Sequence, residues 1–579
     1  MSIAAQQGKT AGRAAWSASP LIVMGLVLAL APILLVFPLR VPIGPMYWDV
    51  FIYYDAANRI FDGQVPVNDF FTPVGPLGYY LFAGWLALFP SGAPTLLAHW
   101  SLLAVTAPLM ALVVRHVEAR SRTTAYALLI PFLIFALLPF NSREFYPFPG
   151  SDGFGIYNRQ ICQMLYVLVA ALIFVRNPRL LALIVAVAMT ALFFLKITGF
   201  VSGAIICLFA FMTGRVPLRY ALAAAGAFLA VLVLLELTSG LISHYINDIL
   251  ALVAINSGSL APRFLQAMSH TFGVLLPSGA LILLLLWSGR EKLAARLSAI
   301  RAERSAASIA KFLDNDAFWL GVILFAGITF ETQNTGSQAM IFVWPVILSI
   351  VMRSGSLMAK PKLLIATFVL AAAVALPPAI NTIERAARAY AGSVKNFTLE
   401  HTNLKSLGAV SMRGDVLARS ENMIEFYPPH RALYEDIVRM GELPSFVLYS
   451  DFDFQITHLK AIDRAVDSIR ALEAENGVRF ETIMALNFVN PFPWLMERSA
   501  PEHVAIGADP MRAVPPPGPL VADSIRETDL ILHPKCPPTT ANAALLELYA
   551  PMMVGHRKIA LNACYDAYVH SKFAGKLRD

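Results

Sequence analysis

The sequence predicts a polytopic α-helical membrane protein with a C-terminal extracytoplasmic α/β domain. Of its 579 residues, 57% are hydrophobic and only 14% are charged, with a mean hydropathy of +0.61. Apolar segments recur up to residue 380, whereas residues 381–579 are more polar and alternate strand-like runs with helical ones. This composition excludes a soluble enzyme and predicts a chain that crosses a bilayer many times.

The apolar segments reach or approach the lengths that membrane spans require. They lie at 19–38, 77–90, 93–114, 124–140, 160–175, 180–195, 198–213, 218–237, 266–287, 316–330, 337–352 and 362–380. A spanning helix needs about 20 residues, with a range of roughly 17–25. The segment 77–90 is shorter and is bounded by Pro76 and Pro90, so we expect a re-entrant or surface helix there. About eleven spans remain.

The basic residues orient these spans. With residues 1–18 in the cytoplasm, the inside loops carry Arg115, Arg120, Arg122, Arg176, Arg179, Arg215, Arg219, the basic stretch 290–311, Arg353, Lys360 and Lys362. Outside loops carry few, which agrees with the positive-inside rule. An eleven-span transmembrane domain over 19–380 then places the C-terminal region (residues 381–579) outside. The net charge of +7 follows from topology, and no basic stripe indicates a nucleic-acid partner.

The C-terminal region predicts an α/β domain with a largely parallel sheet. Residues from Ile380 to about 414 read as a helical connector. Strand-length apolar runs follow at 445–451, 480–487, 503–508, 529–533 and 557–562, with helical stretches between them. Cys536 and Cys564 lie here, where an oxidising compartment permits a disulfide; two buried thiols are the alternative. Cys162 and Cys207 lie in apolar spans and are expected to fill the core.

The first external loop (residues 39–92, the first loop hereafter) has the most distinctive sequence. Between Trp48 and Tyr80 it combines aromatic rings with the aspartates Asp49, Asp55, Asp62 and Asp69. Amphipathic rings beside acids, directly after a span, predict a short helix at the bilayer surface. The "DFFTPVGPL" run then breaks that helix and returns the chain towards the lipid.

An aspartate just beyond the first span, an amphipathic stretch ending in Gly63, and the "DFFTPVGPL" run before a second apolar helix together resemble GT-C-type glycosyltransferases. These belong to the protein mannosyltransferase and aminoarabinose transferase-like superfamily, and they take a sugar from a polyprenyl-phosphate carrier. The resemblance covers roughly residues 15–380 and is strongest over 48–80. It implies an inverting hexosyl- or pentosyltransferase in a bacterial inner membrane. Its acceptor would be a periplasmic cell-envelope glycan, lipid or protein.

The resemblance implies that Asp49 is catalytic. Val50 stands where the family has a second acid, so Asp55 remains the alternative. Glycosyl transfer needs a carboxylate that accepts the proton of the attacking hydroxyl, and cations that stabilise the departing phosphate. In the family, basic residues at the outer ends of spans bind that phosphate, and Lys196 in "FLKITG" matches this pattern. Other candidates for substrate or phosphate binding are Arg159, Arg263, Tyr157, Asn158, Glu331, Gln333 and Asn334.

Structural explanations compete with each of these roles. Asp49 could cap a helix, Asp55 could form a surface ion pair with Arg59, and Lys196 could snorkel to the interface. Asp62 and Asp69 are expected in turns or caps. The sequence assigns no metal ligands, and a requirement for a divalent metal stays open. A lipid-linked oligosaccharide flippase or another polytopic transporter is the alternative function, although polar groups at one face favour the enzyme.

Overall fold

The computed structural model describes residues 18–143, 149–256, 260–332, 336–338, 340–441 and 452–577. The chain is mostly helical. Its helices are α1 Pro20–Val36, α2 Asp49–Phe61, α3 Leu77–Leu88, α4 Pro94–Trp100, α5 Leu103–Glu118, α6 Arg122–Leu137, α7 Ile156–Phe174, α8 Pro178–Leu195, α9 Ile197–Met212, α10 Leu218–Ser239, α11 Leu241–Asn256, α12 Leu260–His270, α13 Phe272–Ser288, α14 Arg290–Glu303, α15 Ala306–Leu313, α16 Asp316–Glu331, α17 Trp344–Arg353, α18 Pro361–Gly392, α19 Gly414–Phe426, α20 Arg431–Arg439, α21 Phe452–Asn476, α22 Phe492–Met496, α23 Pro519–Glu527 and α24 Thr540–Tyr549.

Every apolar segment predicted to span coincides with a helix or with a bent pair of helices. Among the described residues, four helices are long and apolar enough to cross a membrane: α7, α8, α10 and α18. Counting the bent pairs α4–α5, α12–α13 and α15–α16 as single spans gives up to seven. The other predicted spans correspond to the shorter apolar helices α1, α6, α9 and α17. The count of eleven spans therefore stays a prediction.

Two helix lengths bear on the predicted topology. Helix α3 has 12 residues, which at 1.5 Å per residue is about 18 Å, well short of the roughly 30 Å hydrocarbon core. The short helix expected at 77–90 is therefore present. Helix α18 has 32 residues, about 48 Å, so it continues past the predicted domain boundary at residue 380 without a break. Its last turns form the first part of the expected connector.

The predicted inside loops meet at one end of the helical bundle. At that end, the guanidinium of Arg215 pairs with Asp314 at 2.8 Å, and its Nη1 donates to the carbonyls of Leu172 and Ile173 at the end of α7. The predicted inside loops therefore converge there. The 19 residues of α7 rise about 28 Å, close to the thickness of the hydrocarbon core. The first turn of α7, and the candidate site beside it, lie at the opposite end.

A small sheet joins the first loop to the C-terminal region. Strands β1 (Val41–Pro42), β2 (Asn396–Thr398) and β3 (Val410–Arg413) pair in the order β1-β3-β2. Strand β1 runs parallel to β3, and β2 runs antiparallel to it. The first loop is thus hydrogen-bonded to residues predicted to belong to a separate domain.

The second sheet corrects the prediction for the C-terminal region. Strands β4 (Ile483–Ala485), β5 (Leu530–Pro534), β6 (His556–Ala560) and β7 (Tyr565–His570) pair in the order β4-β5-β7-β6. Only β4 and β5 are parallel, because β6 and β7 form a hairpin that needs no helical crossover. The prediction of a largely parallel sheet is therefore wrong, although α21 and α24 match the predicted helical stretches.

Some of the predicted strands of the C-terminal region are present in the structure and others are not. Three predicted strands match β4, β5 and β6, whereas 503–508 forms no strand, and the run at 445–451 lies outside the described residues. Cys536 and Cys564 form a disulfide, which confirms the pairing considered from the sequence. Cys162 and Cys207 are free thiols in the helical part of the chain, buried and half-buried.

Candidate active site

Asp49 is the first residue of α2 and is buried, with 8% of its surface exposed. An acid in the first turn is favoured by the helix dipole. Burial raises the pKa of the carboxyl to about 7, while a hydrogen bond from the backbone N–H of Gly155 and the charges of Arg159 and Arg512 act in the opposite direction. A carboxylate with a pKa near 7 is well matched to general-base catalysis at neutral pH. Its burial and raised pKa are compatible with the predicted role, and catalysis by Asp49 stays a prediction.

Gly155 brings the start of α7 to this carboxylate. It precedes α7 with φ of 73°, in the left-handed region where only glycine is unstrained. A Cβ there would lie 2.2 Å from the carbonyl oxygen of Gly336. Both the backbone angle and the close approach therefore require glycine at this position.

Arg159 lies in the first turn of α7 and is completely buried. Its guanidinium donates to Nδ1 of His99 at 3.3 Å, to Oδ1 of Asn141 at 3.0 Å, and to the carbonyls of Phe154 at 2.7 Å and Asp152 at 2.9 Å. All three nitrogens of the guanidinium thus donate hydrogen bonds to protein acceptors. These contacts favour a positioning role, and phosphate binding by Arg159 stays a prediction.

Lys196 connects α8 to α9 and is buried, with 8% of its surface exposed. Its Nζ donates to Oδ1 of Asn158 at 3.2 Å and lies 4.9 Å from the centre of the Tyr157 ring. The carboxylate of Glu331 is close enough for its charge to act on Lys196, and it accepts a hydrogen bond from Ser337. The structure therefore brings together four predicted residues, and the burial of Lys196 argues against snorkelling.

The two groups of residues meet at the start of α7. Asn158 and Tyr157 contact Lys196, while Gly155 contacts Asp49. Consecutive residues of a helical turn point in different directions, about 100° apart. One turn can therefore serve both a carboxylate and an ammonium group.

Asp55 has a structural partner. Its Oδ1 accepts from Nε of Arg59 at 2.9 Å, and the two side chains are 4% and 2% exposed. Arg59 also donates to Oε1 of Gln64 and to the carbonyl of Pro501. The expected ion pair with Arg59 is present. Its expected place at the surface is wrong, because residues of the C-terminal region cover this face of α2. Asp55 lies six residues after Asp49, about 9 Å along the helix axis.

Of the remaining predicted residues, some lie within the ranges that the structure describes and others lie outside them. Arg263 lies on α12, and its Nη2 donates to Oδ1 of Asn256 at 3.0 Å. Gln333 and Asn334 lie outside the described residues. Asp69 accepts a hydrogen bond from the backbone N–H of Val65 at 2.6 Å, as expected of a turn former.

Sequence reasoning missed Arg512, whose charge reaches Asp49 from the C-terminal region. The stretch "DPMRAVPPP" around it carries no motif, and a contact across more than 400 residues leaves no periodic signal. Within the described parts of the chain, no group of three His, Cys, Asp or Glu side chains could hold a metal ion.

Fold and site together describe a mostly helical protein with several apolar helices and a buried carboxylate at one end of its bundle. No protein-family model and no curated protein matches the chain. Among solved structures, it is similar to ArnT from Cupriavidus metallidurans in the apo state (TM-score 0.39, 11% identity, 96% of this chain and 98% of that one). It is similar to the same protein bound to undecaprenyl phosphate (TM-score 0.37, 12% identity, 95% and 97%).

It is also similar to the Archaeoglobus fulgidus oligosaccharyltransferase in complex with Zn and sulfate (TM-score 0.36, 13% identity, 96% and 73%). Because these TM-scores lie below 0.5, the function proposed below rests on the site.

Proposed function

We propose that this protein is a membrane glycosyltransferase that transfers a sugar from a polyprenyl-phosphate carrier to an extracytoplasmic acceptor. The observation that carries the proposal is that Gly155 and the first residues of α7 contact both a buried carboxylate, that of Asp49, and a buried ammonium group, that of Lys196. Asp49 can take a proton, and Lys196 can stabilise a phosphate. Residues with these two roles are what transfer from a phospholipid-linked sugar requires.

In the proposed reaction, the carboxylate of Asp49 accepts the proton of the acceptor hydroxyl. The hydroxyl oxygen then forms a bond to the anomeric carbon of the sugar, and the bond from that carbon to the phosphate oxygen breaks. The electron pair leaves on the polyprenyl phosphate, whose added negative charge Lys196 stabilises. A single displacement of this kind inverts the anomeric centre. It is equally compatible with a hexosyl or a pentosyl donor.

The proposed setting is a bacterial inner membrane, with the site on the periplasmic side. The end of the bundle formed by Asp49, Lys196 and the first turn of α7 lies opposite the basic loops, which the positive-inside rule assigns to the cytoplasm. The C-terminal region packs on the first loop and so shares that side. A cell-envelope glycan, lipid or protein on this side is the proposed acceptor.

The test is the Asp49→Asn variant, which keeps the shape of the side chain and removes the proton acceptor. Transfer should fall roughly 10²–10⁴-fold, the usual contribution of a general base, while thermal stability and binding of polyprenyl phosphate should be preserved. Recovery of a lipid-linked sugar with the purified protein, identified by mass spectrometry, supplies the substrate for the assay. Full activity in Asp49→Asn would contradict the assignment.

The pH profile gives a second, independent readout of the same group. Burial raises the pKa of Asp49 to about 7, and only the ionised form can accept a proton. The rate should therefore rise about tenfold per pH unit below pH 7 and level off above it. The residual rate of Asp49→Asn should not show this rise with pH. A rise that persists in the variant must come from the titration of another group.

A further inference from the structure

The segment that contains Arg512 lies along the first loop. The backbone N–H of His503 donates to the carbonyl of Asp69, and that of Ile506 donates to the carbonyl of Phe71 at 3.1 Å. These contacts explain why 503–508 forms no strand in the second sheet. A Cβ on Gly507 would come within 3.2 Å of the side chain of Ile52, which is one turn from Asp49 on α2. The segment therefore passes directly over the start of α2.

Asp509 holds the Arg512 guanidinium in one orientation. Its Oδ2 accepts from Nε of Arg512 at 2.8 Å, and its Oδ1 accepts from the backbone N–H of Met511 at 3.0 Å. The Asp509 side chain is 6% exposed, whereas that of Arg512 is 61% exposed. Asp509 is the only group that hydrogen-bonds this guanidinium within the described residues. A guanidinium fixed through Nε presents its two terminal nitrogens as a fork, which suits two oxygens of one anion.

The helical bundle holds the backbone of Arg512. Nδ2 of Asn256, at the end of α11, donates to the carbonyl of Arg512 at 3.0 Å, and Oδ1 of the same amide accepts from Arg263. One asparagine thus links a predicted phosphate-binding residue to the C-terminal region. The same helix exposes Leu250 and Val253, by 59% and 52%, one to two turns before Asn256. An exposed apolar surface there can cover a prenyl tail.

We propose that Arg512 is a substrate-contacting residue through which the C-terminal region binds the phosphate of the lipid-linked donor beside Asp49. The inference rests on the proposed function and adds a residue to its site. The guanidinium of Arg159 is occupied by protein acceptors, whereas that of Arg512 is anchored on one edge and exposed on the other. The adjoining apolar surface of α11 favours an anion that carries a hydrocarbon chain over a water-soluble acceptor.

The test measures equilibrium binding of polyprenyl monophosphate, without sugar, to the purified full-length protein in detergent. Loss of a charge-assisted bidentate contact should weaken binding by Arg512→Gln about 10–100-fold, and Arg512→Lys should lie between this variant and the parent. The matched control is Arg526→Gln. Arg526 forms the same i,i+3 ion pair with an aspartate, Asp523, on an exposed helix of the same region, and its loss should leave the affinity unchanged.

The outcomes separate the inference from the function on which it rests. A parent protein that does not bind polyprenyl phosphate contradicts the proposed function itself. Parent-like binding by Arg512→Gln overturns only the inference, and so does a raised KM for the acceptor with unchanged carrier affinity. If Arg512→Gln fails to fold, Arg512→Lys decides the matter, because parent-like affinity in that variant with a normal melting temperature also overturns it. Asp509→Ala should weaken binding less than Arg512→Gln, since it frees the guanidinium without removing it.

Discussion

Replacing Asp55 should lower the free energy of unfolding strongly, whereas it should change the rate of sugar transfer little. In Asp55→Leu, the Arg59 guanidinium stays buried without its carboxylate, because the two side chains are only 4% and 2% exposed. Removing one partner of a buried pair costs about 3–5 kcal/mol. Arg59→Met leaves the carboxylate of Asp55 buried without its partner, at a similar cost of about 3–5 kcal/mol. If the two sites were independent, the double variant would lose about 6–10 kcal/mol.

The double variant Asp55→Leu/Arg59→Met should lose much less. It buries no unpaired charge, and the chief remaining penalties are at two buried acceptors, the carbonyl of Pro501 and Oε1 of Gln64, which both lose the Arg59 donor. Leaving such a buried acceptor unsatisfied costs about 1–3 kcal/mol. The double-mutant cycle should therefore give a coupling free energy of at least about 2 kcal/mol.

The assay is reversible unfolding in mixed micelles, followed by tryptophan fluorescence, for the parent, both single variants and the double variant. Additivity within about 0.5 kcal/mol would refute a buried, interacting pair. Transfer activity is measured in parallel, well below the unfolding midpoint. Loss of transfer in Asp55→Leu at parental stability, with an active Asp49→Asn, would make Asp55 the proton acceptor.

Three further results are expected. Lys196→Ala should weaken carrier binding and slow transfer, and Lys196→Arg should keep part of both, whereas unchanged values for the alanine variant would reduce Lys196 to an anchor. Removing the Cys536–Cys564 disulfide, which closes a loop of 28 residues, should cost about 3–4 kcal/mol of stability by the loop-entropy relation; a melting temperature equal to the parent's would contradict that. Reporter fusions near Arg301 should be active only in the cytoplasm, and a periplasmic signal there would invert the proposed topology.

The helices were predictable because the signal for each one, a run of apolar side chains, lies within its own residues. A run of apolar side chains long enough to span is visible without knowledge of its neighbours, so the predicted segments coincide with helices. Asp49 could be selected as a candidate for a similar reason, since its place after the first apolar helix is a local feature, and its catalytic role stays a prediction. Lys196 stands out in the same way, as a single cation between two apolar runs.

The errors concern contacts between distant parts of the chain. The i,i+4 spacing of Asp55 and Arg59 indicates an ion pair, but burial of the pair depends on Pro501, more than 400 positions away. The proposed role of Arg512 could not be predicted from the sequence, because it depends on the packing of the Arg512 segment over α2. Strand β7 was missed because its sequence, YDAYVH, mixes polar and apolar residues; Asp566 within it is held by Lys535 and Lys558.

The attachment of the first loop to the C-terminal region has a consequence for biosynthesis. The backbone N–H of Tyr47 donates to Oε1 of Gln455 at 2.6 Å, 408 residues later in the chain. At about 5–20 residues per second, a ribosome needs roughly 20–90 s to progress from Asp49 to Arg512. During that time α2 has left the ribosome without the groups that will cover it. A nascent chain that stops after α18 would contain every predicted span and still lack a finished site, so the proposed site is completed only near the end of translation.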